Sequence, residues 1–322
     1  MSRILSVDGG GTKLSAVLFD DEFRLLGRGM SGGVNINHTS LENSRANVVD
    51  CLEQVFAGFP PPAHIDKLYV VFVGPVNILY EELKKFASVG EVLPLQESRA
   101  GLLAGTMHEE GILALAGTGS DIYYVRNEKE LNSVVGGWGP ILGDQGSGTW
   151  IGQKALRAVV AAIEGWGEPT LIRDLIRREW RLNKDNEMVR IIHRDVAPLR
   201  KAGSITPLVG EAAKAGDAVA LGVLREAGLI MAVQTDCLIR RQEIPEEFRQ
   251  VVCCGGAWKT HPTMFDTFRE QLQKLYPGIT VDKPWFEHVI AGAVKEMLLR
   301  KVPVELARER LNEQFSDYII SW

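Results

Sequence analysis

Two glycine turns, each between two apolar runs, contain the residue types that bind phosphate. They occupy residues 9–13 and 117–120. Glycine has no Cβ, so backbone N–H groups can approach a phosphate closely, and the hydroxyls of Thr12 and Ser120 add donors. Lys13 adds a compact positive charge to the first turn. The sequence therefore predicts phosphate binding at both turns.

A carboxylate, Asp8, ends the apolar run that leads into the first turn. An unpaired carboxylate is costly at such a position, and Mg²⁺ in nucleotide sites is commonly held by one or two carboxylates plus phosphate. Asp8 is therefore a candidate metal-associated carboxylate. The sequence leaves a second interpretation open, in which Asp8 caps the glycine turn.

Two further glycine-rich segments have the composition of ligand loops. Residues 136–148 end at a predicted helix start, where glycines permit close approach, Asp144 can accept hydrogen bonds from hydroxyls, and the helix N-terminus favours negative charge. The alternative is a helix-capping loop around Asp144 or Ser147 without a ligand. Residues 255–259 follow an apolar run and suit a flat adenine, although on this segment alone a tight turn from strand to helix is the favoured interpretation.

The elements that must position these residues follow from the apolar pattern, which predicts an α/β protein of alternating strands and helices. Predicted strands cover residues 4–8, 14–20, 68–73, 92–95, 112–116, 122–125 and 251–254. Predicted helices cover residues 46–57, 78–87, 147–163, 208–240, 263–275, 285–299 and 303–315. Glu97 should lie just past a strand end.

The two glycine turns also align with each other. Pairing Ile4 with Ile112 places Gly9 on Gly117, which suggests a duplicated unit, with chance similarity of two hairpins as the alternative. Both turns are followed by a strand, whereas the dinucleotide fingerprint and the Walker loop need a helix there. The pattern excludes both of those motifs.

Composition sets the broad class. The chain has 322 residues, with 36 basic and 41 acidic side chains and a net charge of -5, which argues against a general nucleic-acid binder. The apolar share of 45% is that of a globular protein, and the length favours two domains. Since no apolar run approaches the ~20 residues of a spanning helix, we expect a cytoplasmic protein without membrane association. The four cysteines form no C-x-x-C pair, so neither zinc nor a disulfide framework is expected.

Taken together, the glycine motifs resemble, in type and order, those of the N-acetylglucosamine kinase and BadF/BadG/BcrA/BcrD ATPase family, within the actin, sugar kinase and Hsp70 superfamily. The resemblance covers nearly the whole chain. It implies a two-domain, ribonuclease-H-like (actin-like ATPase) fold that holds ATP and Mg²⁺ in an interdomain cleft and closes on an amino sugar, whose 6-hydroxyl attacks the γ-phosphate. The small N-terminal domain would cover residues 1–110, with a C-terminal helix at about 301–322 packing back on it, and the large domain residues 111–300. Relatives are commonly dimers, so a homodimer is implied.

The resemblance also implies roles for particular residues. Asp8 matches the metal-associated carboxylate, and Asn35 matches a sugar-contacting asparagine, with Asn37 as the alternative register. The implied phosphate-binding residues are Gly10, Gly11, Thr12 and Lys13 in the first turn and Gly117, Thr118, Gly119 and Ser120 in the second, with Thr118 close to the transferring group. The implied sugar-binding loop contains Gly137, Trp138 and Asp144, and the implied adenosine motif contains Gly255, Gly256 and Lys259.

Two segments depart from the family pattern. Where the family has a catalytic aspartate before the second phosphate loop, this chain has Glu97, the only carboxylate at the matching position. The extra methylene moves the carboxylate by more than about 1 Å, and misplacement on that scale can cost ~100-fold in rate. Residues 72–77 are more apolar and stiffer than the small polar run that lines the family's sugar pocket, which points to a changed substrate.

Four functions follow, and the first is favoured: an ATP-dependent hexosamine kinase that uses Glu97 as its base. The second is a kinase of another acceptor, such as N-acetylmuramic acid, and the third is an ATP- and sugar-binding sensor with weak or no transfer. The fourth, an ATPase that activates a radical enzyme through an Fe–S cluster, is set aside because no cysteine lies near residues 143–147.

Overall fold

The computed structural model describes residues 2–36, 39–126, 133–195 and 198–322 of the chain. The predicted α/β class is confirmed by its elements. The strands are β1 (Arg3–Gly9), β2 (Lys13–Asp20), β3 (Leu25–Gly32), β4 (Ala63–Phe72), β5 (Ala87–Pro94), β6 (Gly111–Ala116), β7 (Ser120–Val125), β8 (Ser133–Gly136), β9 (Gln250–Cys254) and β10 (Thr280–Asp282). The helices are α1 (Leu41–Phe56), α2 (Val76–Leu83), α3 (Glu97–Thr106), α4 (Gly139–Leu142), α5 (Gly148–Glu164), α6 (Ile172–Glu179), α7 (Glu187–His193), α8 (Pro198–Gly203), α9 (Thr206–Lys214), α10 (Ala218–Arg241), α11 (Pro262–Leu275), α12 (Ala291–Leu299) and α13 (Val304–Gln314).

The chain divides into two compact units. The first contains the residues up to Glu109 together with Pro284–Ser321, and the second contains Glu110–Lys283 with Trp322. The segment that returns to the first unit thus begins at Pro284, earlier than the position of about 301 expected from the sequence. The reason is that Phe286, Val289 and Ile290 are buried in the core of the first unit.

The sheet of the first unit has the strand order β3-β2-β1-β4-β5. Strand β1 pairs antiparallel with β2 and parallel with β4, and β5 is parallel to β4. Successive side chains alternate between the faces of a strand, so Leu5 and Val7 pack with α1 and α2, whereas Ile4 packs with α3 and α12. Helices therefore cover both faces, and the carboxyl ends of β1 and β4 lie side by side.

The sheet of the second unit has the same topology. Its order is β10-β9-β6-β7-β8, with β6 antiparallel to β7 and parallel to β9. Strand β6 thus takes the place that β1 has in the first sheet, and the second glycine turn follows it as the first turn follows β1. This repetition of order and direction supports the duplicated unit suggested by the sequence.

Helix α10 is long and apolar enough to cross a membrane by length and composition alone. One face is buried against other helices of the second unit, including α5, α9 and α11. Packing of this kind accounts for its apolar composition.

Four predicted helices differ from the structure. The helix expected at 46–57 begins at Leu41, because Ser40 caps it. The helix expected at 78–87 ends at Leu83, because Ala87 already pairs with Ala63 as the first residue of β5. The helix expected at 208–240 is two helices, since Gly216 has φ +83° and Asp217 caps α10 by accepting the N–H of Ala220. The helix expected at 285–299 begins with a 3₁₀ turn, His288–Ile290, after an extended segment.

Candidate active site

The first glycine turn connects β1 to β2 and is closed by a hydrogen bond from the Gly10 N–H to the Lys13 carbonyl, at 3.0 Å. The carbonyl of Gly10 accepts the N–H of Asn35 at 3.3 Å. This approach requires glycine at position 33, where a Cβ would lie 2.3 Å from the Gly11 carbonyl oxygen. The structure thus brings Asn35 to the first turn, and its contact with sugar stays a prediction. Asn37, the alternative, lies outside the described residues.

Asp8 lies at the end of β1 beside this turn. In the described part of the chain no hydrogen bond reaches its carboxylate, so the capping interpretation is not supported. Burial raises the pKa of Asp8, while the charges of His288 and Lys13 oppose that shift and the charge of Glu287 adds to it. A desolvated carboxylate without donors is stabilised by a cation.

This environment fits Mg²⁺. No group of three or more His, Cys, Asp or Glu side chains is arranged to hold a metal ion among the residues that the structure describes. Mg²⁺ does not need one, because it commonly takes one or two carboxylates and completes its shell with water and phosphate oxygens. Asp8 would be the protein's ligand.

Glu97 is the first residue of α3 and follows the end of β5 at Pro94, as predicted from the sequence. Its carboxylate has no hydrogen bond within the described ranges. Burial raises the pKa of Glu97, the nearby charge of Asp8 raises it further, and His288 opposes the shift. The result is a carboxylate that is more basic than usual and close to Asp8.

Glu287 and His288 complete this cluster, and the sequence analysis missed both. They precede α12 without a recognisable motif. The Lys13 ammonium lies 2.5 Å from Oε2 of Glu287, and the two residues are separated by 274 positions. Only the fold brings them together, so no local signal could have identified them.

The segment that departs from the family pattern borders the same turn. The Val73 N–H donates to the Gly9 carbonyl at 2.7 Å, and a Cβ at position 74 would lie 2.8 Å from the Val34 carbonyl oxygen. Val73 is exposed. An apolar side chain therefore stands beside the first turn, on the unit that carries Asn35.

The second glycine turn connects β6 to β7. The Gly117 N–H donates to the Gly119 carbonyl at 2.9 Å. The Gly117 carbonyl in turn accepts the N–H of Gly148, at the start of α5, at 2.8 Å. Ser120 is only 1% exposed, and its hydroxyl donates to the Gln145 carbonyl at 2.9 Å. That hydroxyl holds the 143–147 loop in place, and the contact of Ser120 with phosphate stays a prediction. Thr118 is exposed, and its role stays a prediction.

Asp144 joins the sugar-loop candidate to this turn. It has φ +56°, is 7% exposed, and accepts backbone N–H groups of Ser120 and Gly139. Burial raises the pKa of Asp144, and these two hydrogen bonds oppose the shift. The carboxylate thus orders the loop, whereas the cap of α5 is Ser147, whose hydroxyl accepts the N–H of Trp150 at 3.1 Å. The contact of Asp144 with sugar hydroxyls stays a prediction.

Gly137 and Trp138 lie on the same loop. The Gly137 N–H donates to the Ser120 carbonyl at 3.3 Å, and Trp138 is 73% exposed. An exposed indole next to an ordered loop can stack on the apolar face of a ligand.

The adenosine candidate lies at the end of β9. Gly255 has φ +111°, and a Cβ there would lie 2.3 Å from the Ala116 carbonyl oxygen, so only glycine permits β9 to meet the second glycine turn. Gly256 and Lys259 are exposed, whereas Trp258 is buried and donates to the Ala114 carbonyl at 3.0 Å. The structure brings Gly255 to Gly117, and adenine binding stays a prediction.

Known proteins share this architecture. The model of the BadF/BadG/BcrA/BcrD ATPase family matches residues 5–294. The chain is 24% identical over 289 residues to the N-acetylmuramic acid/N-acetylglucosamine kinase of Clostridium acetobutylicum, covering 87% of this chain and 94% of the relative. It is also 24% identical over 294 residues to the N-acetyl-D-glucosamine kinase of Dictyostelium discoideum, covering 86% and 92%.

Among solved structures, a candidate N-acetylglucosamine kinase from Chromobacterium violaceum superposes with a TM-score of 0.67 at 21% identity, covering 92% of this chain and 99% of that one. At this identity the likeness concerns the fold. It confirms the expected actin-like architecture of the sugar kinases.

Proposed function

Because the chain belongs to the BadF/BadG/BcrA/BcrD ATPase family, we propose that it is an ATP-dependent kinase that phosphorylates the 6-hydroxyl of an amino sugar of the N-acetylglucosamine or glucosamine class. The observation that carries the proposal is the carboxylate of Glu97. It has no hydrogen bond in the described part of the chain, lies close to Asp8, and has a raised pKa. A kinase needs such a group to orient the acceptor hydroxyl and take its proton.

The transfer assigns each residue a separate role. The hydroxyl oxygen of the sugar forms a bond to the γ-phosphorus, the bond from that phosphorus to the ADP oxygen breaks, and the hydroxyl proton passes to Glu97. The glycine turns hold the phosphates through backbone N–H groups. Asp8 would hold Mg²⁺, which would neutralise charge on the phosphate oxygens. Asn35, Trp138 and Asp144 orient the sugar.

The names of the relatives support this substrate class. Those relatives are kinases of N-acetylglucosamine and, in one case, also of N-acetylmuramic acid. A third relative, 26% identical over 235 residues, is a glucosamine kinase from Vibrio cholerae. The experiment below determines which of these sugars is the acceptor.

The test is ADP release with Mg²⁺ and ATP across glucosamine, N-acetylglucosamine, N-acetylmuramic acid, N-acetylmannosamine and glucose. Wild type is compared with Glu97→Gln and with Glu91→Gln, an equal charge change at an exposed position of β5. We expect one amino sugar to stimulate ADP release, Glu97→Gln to lower kcat by about 100-fold or more, and Glu91→Gln to have no effect.

A different outcome would favour the sensor. If nucleotide and sugar both bind but no sugar stimulates ADP release, the kinase proposal fails. The sensor is an alternative because residue 97 is a glutamate, whose extra methylene displaces the carboxylate relative to the family's aspartate.

A further inference from the structure

One contact beside the first glycine turn has no role in the transfer described above. Lys13, the residue that offers this turn a positive charge, is paired with Glu287 at 2.5 Å. The two side chains are 39% and 32% exposed, so solvent and ligands can reach both. The pair therefore lies where nucleotide phosphates would approach.

The backbone fixes the position of Glu287. Its N–H donates to the Tyr318 carbonyl at 3.0 Å, and the N–H of Phe286 donates to the Ala104 carbonyl in α3, also at 3.0 Å. The Phe286 ring is fully buried. Lysine, by contrast, has a flexible four-carbon stem. The backbone of Glu287 is thus anchored, and the flexible side chain of Lys13 reaches its carboxylate.

Pairing changes what Lys13 offers to an anion. A free ammonium attracts the multiply charged phosphates of a nucleotide, whereas an ammonium next to a carboxylate presents nearly no net charge beyond a few ångströms. Lysine has three N–H donors, so Lys13 can still donate to a phosphate without leaving Glu287. Its electrostatic contribution to nucleotide binding, however, is largely cancelled.

Among the residues that the structure describes, Lys13 is the one side chain that pairs with Glu287. The charge of Glu287 acts on Asp8 and raises its pKa, which shows that it adds to the negative potential there. A carboxylate placed at a phosphate loop opposes the binding of anions. Its presence is therefore a cost to nucleotide affinity.

We propose that Glu287 lowers the affinity of the first glycine turn for nucleotide phosphates by neutralising Lys13, and that it thereby speeds the release of ADP. The inference rests on the proposed function, since it requires that this turn binds ATP and ADP. Glu287 is a positioning residue in this account, because it acts through Lys13.

The test is a double-mutant cycle on the full-length protein. Dissociation constants for ADP with Mg²⁺ are measured by titration calorimetry for wild type, Lys13→Met, Glu287→Gln and the double variant, at low and high NaCl. We expect Glu287→Gln to tighten ADP binding by about three- to tenfold and to steepen its salt dependence. Lys13→Met alone leaves Glu287 unpaired beside the turn and should weaken ADP binding by about three- to tenfold. The double variant, which has neither charge, should bind ADP within about twofold of wild type.

Two controls separate this effect from general damage. Glu81→Gln removes an exposed carboxylate of the same unit, one paired with Arg45 at 2.8 Å, and should leave the Kd for ADP unchanged. Glu287→Asp keeps the charge and should remain close to wild type. Thermal melting of every variant checks that it is folded.

Several results would overturn the inference. Unchanged or weaker ADP binding by Glu287→Gln would show that the carboxylate does not screen Lys13. A double variant that binds ADP as tightly as Glu287→Gln does would show that the tightening does not come from the charge of Lys13. A wild-type protein that binds no nucleotide would instead contradict the proposed function itself, and the inference with it.

Discussion

At the scale of single residues, the central feature is a pair of neighbouring carboxylates, Asp8 near the end of β1 and Glu97 just past the end of β5. Neither has a hydrogen-bond donor among the described residues, and the pKa of each is raised by burial. Asp8 is partly buried, whereas Glu97 is exposed where a substrate can reach it. Carboxylates whose pKa is raised by a neighbouring carboxylate occur often at functional sites, so this pair points to function.

Replacing Asp8 by Asn should stabilise the protein in the absence of ligands. The raised pKa means that the charged form destabilises the folded state at pH values above that pKa, and asparagine removes the charge. We expect a gain of about 1 kcal/mol in the free energy of unfolding at neutral pH, measured in urea. Binding of ADP should become insensitive to Mg²⁺.

The matched control is Asp50→Asn, on an exposed position of α1, which should change neither quantity. A loss of stability in Asp8→Asn would show that the carboxylate is held by favourable contacts, and it would remove the argument for a cation at this position.

At the scale of elements, hydrophobic periodicity predicted most of the strands and helices that form the core, but it missed helix α3, which carries Glu97. Both hairpins, β9, α5 and α11 were predicted because their apolar residues alternate or recur at helical spacing. Helix α3 was not predicted, since its buried residues include Ser98 and Arg99 and no apolar stripe marks it. Its first residue, Glu97, was still named as the candidate base, because the family resemblance, rather than periodicity, pointed to this position.

Turn chemistry explains the other differences. The break between α9 and α10 has a Gly-Asp signal, Gly216-Asp217, that is recognisable once the capping hydrogen bond to Ala220 is known. The roles of Ser120 and Asp144 could not be read from the sequence. Either residue type serves a ligand or a neighbouring loop equally well, and only the fold shows that Ser120 reaches the Gln145 carbonyl.

Two neighbouring glycines after β9 should respond differently to substitution by alanine, because Gly255 is required by the backbone and Gly256 is not. Gly255→Ala places a Cβ against the Ala116 carbonyl at a positive φ and should cost about 2–4 kcal/mol of stability. Gly256 has φ −70° and ψ −26°, with open space around its Cβ position, so Gly256→Ala should change stability by less than about 1 kcal/mol.

Urea unfolding and ADP titration of both variants check this. If Gly256 contacts adenosine, Gly256→Ala should weaken ADP binding while the protein remains as stable as wild type. Equal stability and equal affinity would exclude Gly256 from the nucleotide site.

At the scale of the whole molecule, two units with one sheet topology each carry one glycine turn after their central strand. The first unit is completed by the end of the chain, because residues 284–321 supply a large part of its core, including Phe286 and Phe315. This arrangement could not be predicted from the helix at 303–315 alone. The link depends on an extended segment, 285–287, that has no periodicity.

Removing the Phe286 side chain should therefore weaken the first unit specifically. Phe286→Ala should cost about 3–5 kcal/mol, since the ring is fully buried. Hydrogen exchange followed by mass spectrometry should show lost protection in β1, α3 and α12, with β6 and β9 unchanged. Leu299→Ala, at an exposed position of α12, is the control, and uniform loss of protection in both units would contradict the division.

The proposed function is phosphoryl transfer to an amino sugar with Glu97 as the base. The most direct measurement is a single-turnover experiment with γ-labelled ATP and the amino sugar that stimulates ADP release most, comparing wild type with Glu97→Gln at equal nucleotide occupancy. We predict that wild type moves the label to the sugar and that the variant does so about 100-fold or more slowly, with an unchanged Kd for ATP. Equal transfer rates, or label released only as inorganic phosphate by both proteins, would contradict the account.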